Sequence, residues 1–148
     1  MTADCVPLNV LEVLADECAY QHSGEISVAR LARAWAYLRE QDKLNHGVII
    51  TLGHIVDPSN SEAAYRQTPV LVQNALPVAW ELIPRAMTSL LDAQKRNEVT
   101  AEEFYEEFEY IHPFLDGNGR VGLLLYNYLL TDGKERLMRM LNAPEVFD

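Results

Sequence analysis

The chain has 148 residues, 49% hydrophobic and 23% charged, the length and balance of one soluble domain with a sizeable core. Twelve Lys and Arg against 22 Asp and Glu give a formal net charge of −10, which repels a nucleic-acid backbone where no basic cluster offsets it. No apolar run reaches the ~18–20 residues of a membrane span, the opening Met1-Thr2-Ala3-Asp4-Cys5-Val6 lacks the blocks of a signal peptide, and a cytoplasmic location is expected.

Cys5 and Cys18 have no CxxC or Cys/His spacing and read as small hydrophobes or free thiols. Val10, Leu11, Leu14 and Cys18 recur at helical spacing and predict a helix over about 6–20. Ser27 reads as the N-cap of a second helix, with Val28, Leu31, Ala32, Trp35 and Leu38 on one face. A third helix is predicted over 45–55, its length blurred by Gly47 and Gly53. Asp57-Pro58-Ser59-Asn60-Ser61 is a break.

Residues 64–72 read as strand, and Pro69 restricts it to an edge strand, in a short exposed hairpin. The helical pattern returns over 77–96, with Pro84 starting or kinking it. Thr100 and Glu103 form a capping box for the next helix. There Phe104, Phe108 and Ile111 share a face, and Glu102, Glu103, Glu106, Glu107 and Glu109 fill a solvated remainder. Residues 121–130 are apolar nearly all round and predict a central buried helix, followed by a short one over 133–141. Trp35 and Trp80 are assigned to the core, and His22, His46 and His54, without metal-ligand spacing, to surface or core filling. The fold class is mainly α with one small β-hairpin, in a single domain over 1–148.

Between the acidic and the apolar helix lies His112-Pro113-Phe114-Leu115-Asp116-Gly117-Asn118-Gly119-Arg120. Glycines let backbone N–H groups approach an anion, and the helix they open presents a positive dipole end. Arg120 stands in the first turn, where a cation is unfavourable unless an anion is bound nearby. Asp116 could hold a Mg²⁺ that bridges phosphate oxygens, and His112 has the pKa range of a general base. Phe114 reads as a buried anchor of the loop.

This stretch resembles the signature of the Fic family (filamentation induced by cAMP), H-x-F-x-[D/E]-G-N-G-R-x-x-R, and Tyr65-Arg66-Gln67-Thr68-Pro69-Val70 resembles the hairpin flap of that family. The resemblance covers about 27–130. It implies a Fic-like helical domain that transfers AMP from ATP to a Tyr, Ser or Thr hydroxyl of a target protein, with Mg²⁺. By the same resemblance His112 would be the base and Asp116 the metal ligand. Gly117, Asn118, Gly119 and Arg120 would form the phosphate site. The flap residues Tyr65, Arg66, Gln67, Thr68, Pro69 and Val70 would hold the target by strand addition.

The second arginine of the signature is replaced by Leu123. This leaves open another donor, as in chains resembling the phosphocholine transferases or Doc-type kinases, or a nucleotide-binding module with weak catalysis. The family's inhibitory motif [S/T]-x-x-x-E-[G/N] has no good copy: Thr131-Asp132-Gly133-Lys134-Glu135 has the first spacing, but Arg136 follows. Restraint by a separate antitoxin-like protein is compatible with that loss.

Overall fold

A computed structural model of the chain describes residues 25–72 and 75–130. Cys5, Cys18, His22, the helices expected over 6–20 and 133–141, and the Thr131–Glu135 segment lie outside them.

Five α-helices run in order: α1 Glu25–Arg39, α2 His46–Val56, α3 Ile83–Lys95, α4 Ala101–Ile111 and α5 Asn118–Leu130. A 3₁₀ turn, Trp80–Leu82, leads into α3. The chain is already helical at Glu25, so Ser27 lies inside α1 and does not cap it. Serine is only mildly unfavourable in a helix interior, so its cap preference was a weak signal. α2 is capped by Asn45, whose Oδ1 accepts the Val48 N–H at 2.9 Å. Pro84 falls in the first turn of α3, where its missing N–H costs nothing, so it starts the helix without kinking it. The capping box of α4 forms as expected, at 3.1 Å for Glu103 N–H to the Thr100 hydroxyl and 2.9 Å for the return bond.

The apolar helix takes the predicted place. Residues 121–128 of α5 are all buried, and α5 packs on α4, α2 and α1. Trp35, Phe104, Phe108 and Phe114 are among the fully buried side chains, each contributing roughly 1.5–3 kcal/mol of transfer free energy. Trp80 departs from its core assignment: it is only partly buried and forms a wall of two surface recesses.

The expected hairpin is much reduced. The described residues contain no sheet, and one antiparallel bridge, Val72 with Ala75, closes the tip through bonds of 3.0 and 2.8 Å. Backbone groups at its base bond elsewhere. Arg66 N–H donates to the Pro113 carbonyl at 2.8 Å, and Val78 N–H to that of Tyr110 at 3.3 Å. A two-stranded ribbon is marginal in water, and here anchoring to α4 and the following loop takes the place of a ladder.

The acidic face of α4 is interrupted. Glu109 is 8% exposed, against Gly122 of α5, where an added Cβ would lie 2.6 Å from the carboxylate oxygen. That oxygen, Oε1, has no hydrogen-bond partner among the described residues. Burial pushes the Glu109 carboxyl up to about 7 from an ordinary 4.5. The folded state therefore holds a proton that the unfolded chain releases above 4.5. Stability from this group is full below pH 4.5 and is lost as pH rises to about 7. At ~1.4 kcal/mol per pH unit the loss approaches ~3 kcal/mol. Urea unfolding of wild type and Glu109→Gln between pH 5 and 8 should show the two curves separating over that window. Parallel curves would contradict an uncharged Glu109.

Candidate active site

α4 ends at His112, which takes a left-handed conformation (φ 52°, ψ 64°). For a residue with a Cβ this is an uncommon backbone state that the surroundings must hold. His112 Nδ1 sits 3.3 Å from the Glu109 carbonyl, an acceptor, which places the ring proton on Nδ1 and leaves Nε2 as the basic nitrogen. The ring is half-buried. Burial lowers its pKa, and the Arg66 charge adds to that, while the Glu109 carbonyl and the Asp116 charge oppose it. The net depression keeps the imidazole unprotonated at neutral pH, the state a proton acceptor needs.

The loop after His112 is pinned at its hydrophobic residue. Phe114 is buried, its ring 6.1 Å from that of Tyr65 and 6.4 Å from that of Phe108. Gly53 of α2 makes room for it: a Cβ there would lie 2.3 Å from the Phe114 ring. Asn118 closes the loop on itself. Its Oδ1 accepts the Phe114 N–H and its Nδ2 donates to the Phe114 carbonyl, both at 2.9 Å. The Asn118 side chain is thus committed to the loop, and toward an anion this residue offers its backbone N–H at the start of α5. Gly117 supplies the positive φ, +79°, that the turn requires.

Asp116 is largely exposed, with Oδ1 accepting the Gly117 N–H at 2.8 Å. Arg120, by contrast, is 7% exposed. Its Nη2 lies 3.7 Å from Asp116 Oδ1 and 3.7 Å from Asp57 Oδ2, and its buried Nε has no hydrogen-bond partner among the described residues. A buried guanidinium nitrogen without an acceptor is rare. The arrangement joins a basic nitrogen, a solvent-facing carboxylate, a helix N-terminus and an underused cation along residues 112–120. Leu123, one turn further, is buried and apolar.

Two residues of this site were not picked out in the sequence. Asn60 is 3% exposed. Its Nδ2 donates to the carbonyls of Gly53 (3.0 Å) and Asp116 (2.8 Å), and its Oδ1 accepts from the N–H groups of Leu115 (3.0 Å) and Asp116 (3.3 Å). His54 Nδ1 holds the Asn60 carbonyl at 2.8 Å. Asp57, at the C-terminus of α2, faces Arg120. Both stand in a Pro- and Ser-containing break that is indistinguishable by composition from an ordinary turn.

The flap residues divide. Tyr65 and Arg66 are buried, Gln67, Thr68 and Pro69 are exposed, and Val70 is intermediate. The Tyr65 hydroxyl donates to His46 Nδ1 at 2.7 Å, since His46 Nε2 is used by Thr88 at 2.9 Å and the Thr88 hydroxyl donates to Pro84. His46 is therefore part of a specific network. The Arg66 guanidinium donates to the carbonyls of His112, Thr68 and Val78, each at 2.7 Å, and to that of Ile111 at 3.4 Å. A cation suits the C-terminal end of α4, and Arg66 clamps both arms of the flap there. Beside it open recesses of about 340 and 230 Å³ that share Arg66, Trp80 and Glu81. No group of three or more His, Cys, Asp or Glu suited to a metal occurs among the described residues.

The Fic/DOC family matches this chain over residues 43–130. The chain belongs to the Fic/DOC family. Three solved structures share its fold, each at 20% identity. One is IbpAFic2 covalently tethered to Cdc42, covering 88% of this chain and 48% of that one at a TM-score of 0.69. The second is a Fic family protein from Desulfovibrio desulfuricans G20, covering 87% and 44% at 0.63. The third is a Fic domain containing signaling protein from Bacteroides thetaiotaomicron VPI-5482, covering 86% and 57% at 0.55. The present chain thus spans about half the length of these relatives. No curated protein matches it. In this Fic-family chain the matched region runs from just before α2 to the end of α5 and contains every residue of the site described above.

Proposed function

We propose that this chain is a Fic-type transferase that moves AMP, or another nucleotide-derived phosphoryl group, from a nucleotide to a Tyr, Ser or Thr hydroxyl of a target protein. The observation that carries this reading is His112, its Nδ1 on the Glu109 carbonyl, held one loop away from Arg120, whose buried Nε lacks a partner among the described residues at a helix N-terminus. His112 Nε2 takes the proton of the attacking hydroxyl as its oxygen bonds to phosphorus. With ATP as donor, the α–β phosphoanhydride bond breaks and pyrophosphate leaves. Backbone N–H groups of Gly119 and Arg120 and the Arg120 guanidinium favour the charge that builds on the phosphate oxygens. The exposed Asp116 carboxylate suits Mg²⁺, which is bound through one or two carboxylates plus phosphates and would supply charge neutralisation. That one solved relative is tethered to Cdc42 fits a protein as the acceptor here. The exposed Gln67, Thr68 and Pro69 are the part of the flap open to such an acceptor.

The buried Leu123 favours a second reading of the donor. No cation at that position grips a third phosphate, so a diphosphate-linked donor or a γ-phosphoryl transfer competes with AMP transfer. Incubation with Mg²⁺, target lysate and either ATP labelled separately at the α and γ phosphorus or a diphosphate-linked donor labelled at the β phosphorus separates these. Label from that β phosphorus marks the diphosphate-linked donor. Label from α alone on protein is the expected result. Label from γ alone would make it a kinase, and no label from any donor would remove the transferase reading.

A further inference from the structure

The turn joining α2 to the flap makes the contacts of a functional element. Asp57 sits at the end of α2 with its N–H bonded to the Gly53 carbonyl at 3.0 Å. Its Oδ1 accepts the Ser59 N–H at 2.9 Å, which leaves Oδ2 to face Arg120. Three residues on, the Asn60 N–H closes the turn on the Asp57 carbonyl at 3.0 Å, and the Asn60 amide grips the backbone at Leu115 and Asp116. A single turn therefore holds the loop carrying the metal-type carboxylate and the side chain of the phosphate-type cation. Gly117 lies between the two: a Cβ there would come within 3.1 Å of Val56 and 3.4 Å of Arg120 Nη2.

Arg120 needs such a support. It stands in the first turn of α5, where the helix dipole repels a cation. Asp116, its other carboxylate partner, is also the one placed to take a divalent cation. Were Asp116 to hold a divalent cation, Asp57 would remain as the anionic contact of Nη2. Ionisation of Asp57 is opposed by its burial, but the Ser59 hydrogen bonds and the charges of Arg120 and Arg30 outweigh this and hold its carboxyl below the usual range.

We propose that Asp57 is a positioning residue of the transfer reaction, which aims the Arg120 guanidinium at the donor phosphates while Asn60 fixes the Asp116 backbone. The inference rests on the transferase reading for its kinetic part only. Because Asp57 is an anion beside an anion site, a purely electrostatic role and a positioning role have opposite signatures. Removing its charge without changing its shape relieves repulsion of phosphate but frees Arg120 to adopt other rotamers.

The test uses the full chain and Asp57→Asn, with inorganic pyrophosphate as the binding probe. Pyrophosphate affinity should stay within about threefold of wild type or tighten, while turnover falls roughly 10- to 100-fold. Asp57→Glu should recover part of the turnover. In an Arg120→Ala background, Asp57→Asn should produce no further loss. The arginine Nε–H NMR signal that disappears in Arg120→Ala should shift in Asp57→Asn, a readout that needs no catalysis. An unmoved signal, a turnover within twofold of wild type, or an equal loss in the Arg120→Ala background would overturn the proposal. If the wild type transfers nothing but the signal moves, the transferase reading fails and the bracket between Asp57 and Arg120 stands.

Discussion

Asn60→Ala should destabilise the chain by about 2–4 kcal/mol and lower transfer by at least ~10-fold. The magnitude follows from what the amide leaves behind. Its four hydrogen bonds, between 2.8 and 3.3 Å, join the carbonyls of Gly53 and Asp116 and the N–H groups of Leu115 and Asp116. Gly53 is buried under Phe114, so its carbonyl has little access to water. The partners near Asp116 lie close to solvent and recover part of their bonds there, which keeps the loss below a simple sum of four. Asn60→Asp retains the acceptor toward the two N–H groups and loses the donor, so it should fall between wild type and alanine. Urea midpoints and slopes measure this. A change under ~1 kcal/mol for Asn60→Ala would mean that the loop is held by Phe114 and Asn118 alone.

The second large effect is catalytic. With His112 as the base of the proposed transfer, its removal should reduce that transfer by ~10²–10⁴-fold. Asn is the cleaner replacement, since it tolerates the left-handed backbone found there (φ 52°) better than alanine does and cannot accept the proton at neutral pH. In the wild type, burial and the Arg66 charge depress the His112 pKa below its ordinary 6.5. In the proposed reaction the active form is the unprotonated ring, so rate should rise with pH through the depressed pKa and be level at neutral pH. An acid limb centred above 6.5 would contradict the burial and Arg66 effects together.

The helical framework was legible because its signals are local. The Thr100–Glu103 box, the apolar content of α2 and the apolar run of α5 depend on residues within a few positions of each other. Glu109 shows where such signals stop. On a helix with Glu102, Glu103, Glu106 and Glu107 it reads as one more solvated acid, but it faces Gly122, and only the packing of α4 on α5 makes it buried. The extent of the flap's pairing was hidden for a related reason. Residues 64–72 read as strand, yet only the Val72–Ala75 bridge forms, and Arg66 uses its side chain and N–H on α4 and the His112 loop, contacts 45 or more residues away. The signature from His112 to Arg120 was readable because it is contiguous. Its support from Asp57 and Asn60 was not, since those residues meet the loop only across some 55 positions of chain.

Transfer of a nucleotide-derived group to protein by the His112–Arg120 loop is read from the intact mass of an acceptor protein after incubation with Mg²⁺, ATP and either wild type or His112→Asn. Wild type should add the mass of a nucleotide-derived phosphoryl group to the acceptor, and His112→Asn, equally folded by circular dichroism, should leave it unchanged. An equal mass increment from both proteins, or no increment from wild type with ATP or any diphosphate-linked donor, would contradict it.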